Sequence, residues 1–359
     1  MIFRHITIGS MMRSNALFGG LLKPVPNEAF SAWLNRGLRS YNPAPFRRAV
    51  GCLEHWGNTD PDEPIGVAVL EELAPALGLS DEFLRRLFPL PGDWLKAPPA
   101  KRVQFCERCL LDDFRSGLRP TLRVTWFYWW LSVCPVHGCL LHASESTSAA
   151  KALFSFIQFY SSLNILTESD IRPSNRRVNI RMTTFEKLGL MAWYFQYWYL
   201  SCVKLETVSI GNVKLTAKIA QIELIMTDIL AIIGKKRSYP FDQRSYIAQL
   251  LNIKSWCSLH SNLPPDAGCA PFLCLDIGEH DPQVRMAMFA LLGLFLKLPQ
   301  CARIWFLGRG EPSNPRIEQL WRSLLYEAVR EPSYLAWFQQ RSESWYAPLR
   351  THFGYLLEG

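Results

Sequence analysis

Two short pairs constrain this chain more than any other feature. They are Cys106-x2-Cys109 and Cys134-x2-His137, both within FCERCLLDDFRSGLRPTLRVTWFYWWLSVCPVHGCLLH. A two-residue gap lets both ligands of a pair turn back onto one metal ion, and two such knuckles complete a tetrahedron of three thiolates and one imidazole. Either pair alone arises easily by chance, whereas both within one short stretch do not. Any fold this chain adopts is therefore expected to bring the two pairs together around a zinc ion. Four protein ligands close the coordination sphere, while a catalytic zinc keeps a position for water, so the zinc is expected to be structural. The competing reading is a set of buried cysteines beside a surface histidine. No H-E-x-x-H is present, and no H-x-E precedes a P-C-x-x-C as in a zinc deaminase. Cys139 and His142 follow the second knuckle and are read as flanking core. Asp112 and Asp113 are expected to be solvated or paired with Arg108 and Arg115. The aromatic run Trp126, Phe127, Tyr128, Trp129 and Trp130 is expected to pack a helix or hairpin over the site.

The chain is long enough, at 359 residues, for two domains, or for one domain with a helical extension. Its apolar share of 49% and charged share of 19% exclude a highly charged disordered chain. Ten cysteines in an apparently cytosolic chain of this length are expected to be reduced: metal ligands where clustered, core residues where scattered. A second, fainter group, Cys257-x2-His260 with Cys269-x4-Cys274, is read as ordinary core or loop. The longest apolar runs, Met286 to Leu296 and Met191 to Val203, fall short of the ~18 residues of a bilayer span and are expected to be buried helices. Arg4 and Arg13 stand near the start without a continuous apolar stretch, so no signal peptide is expected. Residues 1–20 are expected to be flexible, with a second start at Met11 or Met12, and the location cytoplasmic and nucleoid-associated.

Helical patterning dominates. Pro24 and Pro26 form an extended lead-in, Asn27 is an N-cap candidate, and Phe30, Trp33, Leu34 and Leu38 follow at helical spacing. In LEELAPALGLSDEFLRRLF, Leu70, Leu73 and Leu77 make one stripe, shortened by Pro75. After Gly78, Ser80 caps a second helix carrying Phe83, Leu84 and Leu87. Helix, glycine turn and capped helix with Arg85 and Arg86 is the outline of a helix-turn-helix, a pattern shared with helical hairpins that bind nothing. Further on, Leu215, Ile219, Ile222, Met226, Ile229 and Ile233 share one helical face that ends at Gly234. Asp281-Pro282 and Asn314-Pro315 start two more helices, and Pro299 and Pro332 stop them. The loops SESTSAAK and IRPSNRRVNIR are domain-boundary candidates.

The net charge of +8, from 39 Lys+Arg against 31 Asp+Glu, is compatible with a nucleic-acid partner without requiring one. Arg172, Arg176 and Arg177, with Arg181, form a basic loop suited to phosphate contact, and Lys235, Lys236 and Arg237 a smaller one. No G-x-x-x-x-G-K-[ST], no G-x-S-x-G and no dinucleotide fingerprint occurs, and Gly308-Arg309-Gly310 is too short to cradle a phosphate.

P-x-P-N-E-A-F-x-x-W-L near the start, followed by F-C-x-x-C-L and C-P-x-H-G-C-L-L, resembles the TniQ/TnsD family of transposition proteins, over about residues 20–143. The resemblance implies a non-enzymatic adaptor that selects target sites for Tn7-like transposons. Such proteins engage DNA directly, or a CRISPR Cascade effector with its guide RNA. They recruit an AAA+ ATPase regulator (TnsC/TniB-like), which brings the transposase, and some act as homodimers. The ligands carry over as Cys106, Cys109, Cys134 and His137. The C-x-x-C-G pair found after the second knuckle in many relatives is missing here. The expected architecture is mainly α: a flexible 1–20, a helix-turn-helix domain over 21–148 with an inserted zinc knuckle at 95–143, and a helical C-terminal domain over 149–359. A zinc-containing helix-turn-helix transcription regulator unrelated to transposition is the alternative.

Overall fold

A computed structural model describes residues 20–57, 60–63, 67–89, 91–144, 182–210, 213–234, 237–238, 246–252, 257–258, 277, 281–307, 317–328 and 332–358. The protein is mainly helical, as its patterning implies. It divides by packing into two compact units, Met1–Leu90 with Gly117–Thr125, and Pro91–Ser116 with Trp126–Gly359. The boundary between residues 148 and 149 suggested by the sequence lies inside the second unit.

In the first unit, α1 (Phe30–Gly37) buries Phe30, Trp33, Leu34 and Gly37, one helical face at the i, i+3, i+4, i+7 spacing. Its N-cap is Ala29 rather than Asn27. Asn27 stands two residues upstream at φ 58°, in the left-handed region that Asn tolerates, and its carbonyl accepts the Val124 N–H at 2.8 Å. Next, α2 (Ala44–His55) presents Phe46, Ala49 and Leu53, and α3 (Val67–Leu77) presents Leu70, Leu73, Ala74 and Leu77, to the same core. Each fully buried Leu or Phe is worth about 1.5–3 kcal/mol relative to an exposed one. Gly37 is needed at the crossing, because a Cβ there would stand 2.1 Å from the Phe46 ring. Pro75 is carried inside α3, which still runs to Leu77 and ends at Gly78. Ser80 then caps α4 (Asp81–Leu87) by accepting the Phe83 N–H at 3.3 Å. The helix, turn and capped helix are thus present, and Arg85 and Arg86 are exposed on α4.

A buried carboxylate ties the unit together. Glu28, 2% exposed, accepts from the Val25 N–H at 2.8 Å, from the Thr121 hydroxyl at 2.8 Å, and from Arg36 through Nε at 2.9 Å and Nη2 at 2.7 Å. With four donors its charge is well compensated despite its burial. The backbone adds to this, Ala29 N–H donating to Leu122 O at 2.9 Å. The segment 117–125 is held against α1 in this way.

In the second unit, β1 (Gln104–Phe105) pairs antiparallel with β2 (His142–Ala143), and α5 (Glu107–Arg115) follows β1. The long α6 (Thr184–Leu205) opens with a reciprocal Thr183–Glu186 capping box. A hairpin of β3 (Thr207–Ile210) and β4 (Val213–Lys218) leads into α7 (Ile219–Ile233). Leu215 therefore lies on a strand, and the helical face begins only at Ile219. The short α8 (Tyr246–Leu250) comes next, and then α9 (Pro282–Phe295), in which every residue but Gln283 is buried. Phe195 of α6 stacks on Phe289 of α9 at 5.5 Å. Pro299 opens α10 (Pro299–Phe306), and Pro332 likewise starts a helix, so both initiate elements as well as following them. The remaining helices are α11 (Ile317–Ala328), α12 (Pro332–Glu343) and α13 (Ala347–His352). Asp228 of α7, fully buried, accepts from Arg341 Nε at 3.1 Å and Trp345 Nε1 at 2.8 Å.

Met191–Val203 and Met286–Leu296 both fall on helices, but only the latter is enclosed all round; α6 leaves Tyr197 47% exposed. Among the described residues no single helix is long and apolar enough to cross a membrane. The pair α9 and α10 passes that test only together, bent by 109°.

Candidate metal centre

The first knuckle sits where β1 runs into α5. Cys106 is the N-cap of α5, and the Cys109 N–H reaches back to the Cys106 sulfur at 3.5 Å. Both sulfurs thus lie in the first turn of a helix, where the unpaired N–H groups and the helix dipole favour thiolate. The second knuckle is a hairpin turn between Val133 and Leu140, closed by Cys134 N–H to Cys139 O at 2.8 Å and Gly138 N–H to Cys134 O at 2.8 Å. The His137 N–H points back to the Cys134 sulfur at 3.4 Å, repeating the pattern of the first knuckle. Gly138 follows at φ 67°, a conformation that costs a residue with a Cβ, and this explains a glycine directly after the histidine.

The ligand atoms of Cys106, Cys109, Cys134 and His137 all lie within 4.8 Å of one another, and among the described residues this is the one such group that could hold a metal ion. The Cys109 and Cys134 sulfurs are 3.6 Å apart. His137 Nδ1 stands 3.5 Å from Cys106, 3.2 Å from Cys109 and 3.8 Å from Cys134. Zinc–sulfur bonds of about 2.3 Å place the corners of a tetrahedron about 3.8 Å apart, so the cluster has the dimensions of a zinc site.

Two further observations support the fit. His137 Nε2 lies 2.8 Å from Asp112 Oδ2, where Nε2–H can donate to the carboxylate and so fix the tautomer that leaves Nδ1 free to ligate. Asp112 is therefore engaged with the histidine rather than merely solvated or paired with a neighbouring arginine. It sits three residues after Cys109 on α5, a helical spacing that places it on the side of the first knuckle. The electrostatics point the same way. Hydrogen bonds from Cys106, Cys109 and Cys139 hold the Cys134 thiol far below the ordinary thiol range. The Cys106 thiol is pushed far up, first by its hydrogen bond to Cys109. The Cys134 sulfur, aided by Asp112, raises His137. A dication at the centre is what allows three sulfurs this close to ionise together.

Trp126, Phe127, Tyr128 and Trp130 are buried in the core of the second unit. Gln104 Nε2 donates to Trp126 O and, at 3.1 Å, to Tyr128 O, while Gln104 Oε1 accepts from Arg285 Nη2 at 2.6 Å. Burial lowers the Arg285 guanidinium to about 10, still charged at neutral pH. The strand leading into the first knuckle is thereby fastened to α9. His142 faces Glu107 at 3.8 Å and Phe105 at 5.2 Å, but it is exposed on β2 rather than part of a flanking core. Cys139 is buried with its sulfur 3.4 Å from that of Cys106.

Of the candidate nucleic-acid contacts, Arg86 pairs with Glu82 on the surface of α4, and Arg85 is exposed beside it. Arg172, Arg176, Arg177, Arg181, Lys235 and Lys236 lie outside the described residues, as do residues 1–19, His260, Cys269, Cys274 and Asn314-Pro315; the Cys257 side chain is likewise not described.

Comparison with curated proteins and with solved structures found no match. Residues 21–141 match the TniQ family model, a span containing Glu28, α1 to α5 and both knuckles. Over this span, about a third of its length, the chain carries a TniQ domain, a domain that implies association with Tn7-like transposition.

Proposed function

We propose that this protein is a non-enzymatic adaptor for transposition target selection. It engages a target, either DNA or an RNA-guided effector complex, and recruits an AAA+ ATPase regulator that brings the transposase. The observation that carries this reading is the TniQ domain, with four metal-ligand positions gathered inside it. The metal is zinc, held by Cys106, Cys109, Cys134 and His137, and it supplies cross-linking rather than chemistry. With four protein ligands the coordination sphere is complete, so its contribution is to hold α5 against the 134–139 turn. In this reading the exposed Arg85 and Arg86 of α4 contact phosphate, Arg86 exchanging its Glu82 partner for it, and Arg172, Arg176 and Arg177 add charge. The working location is the nucleoid.

The test is affinity capture of the tagged full chain from its host at moderate salt, with proteins and nucleic acids identified. Recovery of an AAA+ ATPase supports the adaptor. Accompanying DNA alone points to direct target reading, and effector subunits with a guide RNA point to guided targeting. A single enriched promoter without any ATPase would instead support a zinc-containing transcription regulator.

A further inference from the structure

Five metal-binding side chains crowd a site that has room for four. Cys106, Cys109, Cys134 and His137 form the mutually close set, and Cys139 lies against its Cys106 side, sulfur to sulfur at 3.4 Å. That separation is shorter than the ~3.8 Å edge of a zinc–thiolate tetrahedron, so Cys139 is already within ligand spacing of one corner. A buried thiol in contact with a metal-ligand sulfur is more than core filling.

The ligands differ in exposure. Cys106 and Cys134 are fully buried and Cys109 is 6% exposed. The His137 side chain is 17% exposed, and the Asp112 carboxylate that orients it is 56% exposed. The imidazole is thus the outermost ligand, held from outside by a solvated partner, while the spare thiol lies inside. Cys139 also belongs to the same turn as His137, its carbonyl closing that turn on the Cys134 N–H. A change in the turn that moves His137 out therefore acts directly on the backbone that carries Cys139.

We propose that Cys139 is a reserve ligand, giving this centre two alternative coordination sets. In the first, His137 completes the tetrahedron and the Cys139 thiol donates an S–H···S hydrogen bond to Cys106. In the second, His137 is displaced and Cys139 loses its proton to solvent and takes the fourth position, so that the ion is held by Cys106, Cys109, Cys134 and Cys139. The exchange breaks one zinc–nitrogen bond and forms one zinc–sulfur bond, with no oxidation. Its consequence is that the outer face of the knuckle, with His137 and Asp112, can be remodelled by a partner without loss of the metal. The inference rests on the metal assignment proposed above.

The experiment measures zinc content together with the thiolate-to-cobalt charge-transfer absorption of cobalt-substituted full-length protein. Wild type and Cys139→Ser are expected to bind one ion with a three-thiolate spectrum. His137→Ala is expected to keep the ion and to gain the absorption of a fourth thiolate, and His137→Ala with Cys139→Ser to lose the ion. Loss of the ion from His137→Ala alone, or a spectrum there that stays at three thiolates, overturns the reserve role and leaves the metal centre standing. A wild type that binds no ion overturns both. Should His137→Ala not fold, His137→Gly prepared with cobalt in free imidazole gives the same decision through the spectrum. A three-thiolate absorption is expected while imidazole fills the vacant corner, and a fourth thiolate is expected to appear when imidazole is dialysed away. Loss of the ion on dialysis, or an unchanged spectrum, contradicts the proposal.

Discussion

The two units solve the same problem, joining distant stretches of chain, by opposite means. In the first, residues 117–125 are held to α1 by a carboxylate: Glu28 gathers the Thr121 hydroxyl, the Val25 N–H and both faces of the Arg36 fork. This is possible because a helical core of Trp33, Phe46, Leu70 and Leu73 already surrounds it. In the second, α5 and the 134–139 turn meet through three sulfurs and an imidazole. A buried ion pair adds specificity to a core that is already packed, whereas a metal supplies folding free energy outright. The first unit should therefore fail gradually when its polar hub is cut, and the knuckle should fail all at once when its ligands are lost.

The largest effect expected is from the metal. Chelation, or Cys106→Ser, removes a contribution on the order of 10 kcal/mol and should release the knuckle. Hydrogen exchange should show residues 104–116 and 131–143 losing protection together, while α1 to α3 keep theirs. Retention of protection in the knuckle would break the comparison. Next comes Glu28→Ala, which removes the carboxylate that Arg36 and Thr121 share and is expected to cost about 3–5 kcal/mol in the first unit. Denaturant unfolding should record the loss with zinc content unchanged, since no ligand lies in that unit. Gly37→Ala forces a methyl into the Phe46 ring and should cost about 1–3 kcal/mol, read as a lowered Tm. The smallest effect is Asp112→Asn, which weakens the support of His137 without removing a ligand. Zinc affinity is expected to fall about 10-fold to 100-fold in a competition titration, with the fold intact.

Acid should act on the second unit in two opposed ways. Metal binding requires deprotonated sulfurs and a neutral imidazole, so zinc affinity falls as pH is lowered. Asp228 acts in the opposite direction. Burial raises its carboxyl in the folded chain, so the folded form takes up a proton more readily than the unfolded one. Its contribution is present below the ordinary carboxylate range and is lost as pH rises through the raised value. The stability profile of Asp228→Asn should lack that decline.

The helical character, the stripes of α1 and α3 and the clustering of Cys106, Cys109, Cys134 and His137 were legible because each rests on local spacing, whereas of the stripe expected on α4 only Leu84 is buried. Helical period and the two-residue ligand gap are written into adjacent residues. What was not legible depends on distant partners. Asn27 looked like a cap, but the chain is pinned there by Val124, far away in sequence. Leu215 fits a helical period, yet its neighbours pair as a hairpin before the helix begins. Glu28 stands in the very motif that carries the family resemblance, and nothing local shows that it is the buried hub for Arg36 and Thr121. Asp112 could have been found, since its spacing from Cys109 places it on the ligand side of α5. The burial of Trp126, Phe127, Tyr128 and Trp130 inside the second unit follows from tertiary packing that no local rule contains.

The central claim is that a zinc ion joins the two knuckles through three sulfurs and one nitrogen. X-ray absorption at the zinc edge of the purified full-length protein, together with its metal content, tests it most directly. The account predicts one zinc per chain with three sulfur neighbours at about 2.3 Å and one nitrogen at about 2.0 Å. A metal-free chain that is nevertheless folded through the knuckle, or a shell dominated by oxygen, would contradict it.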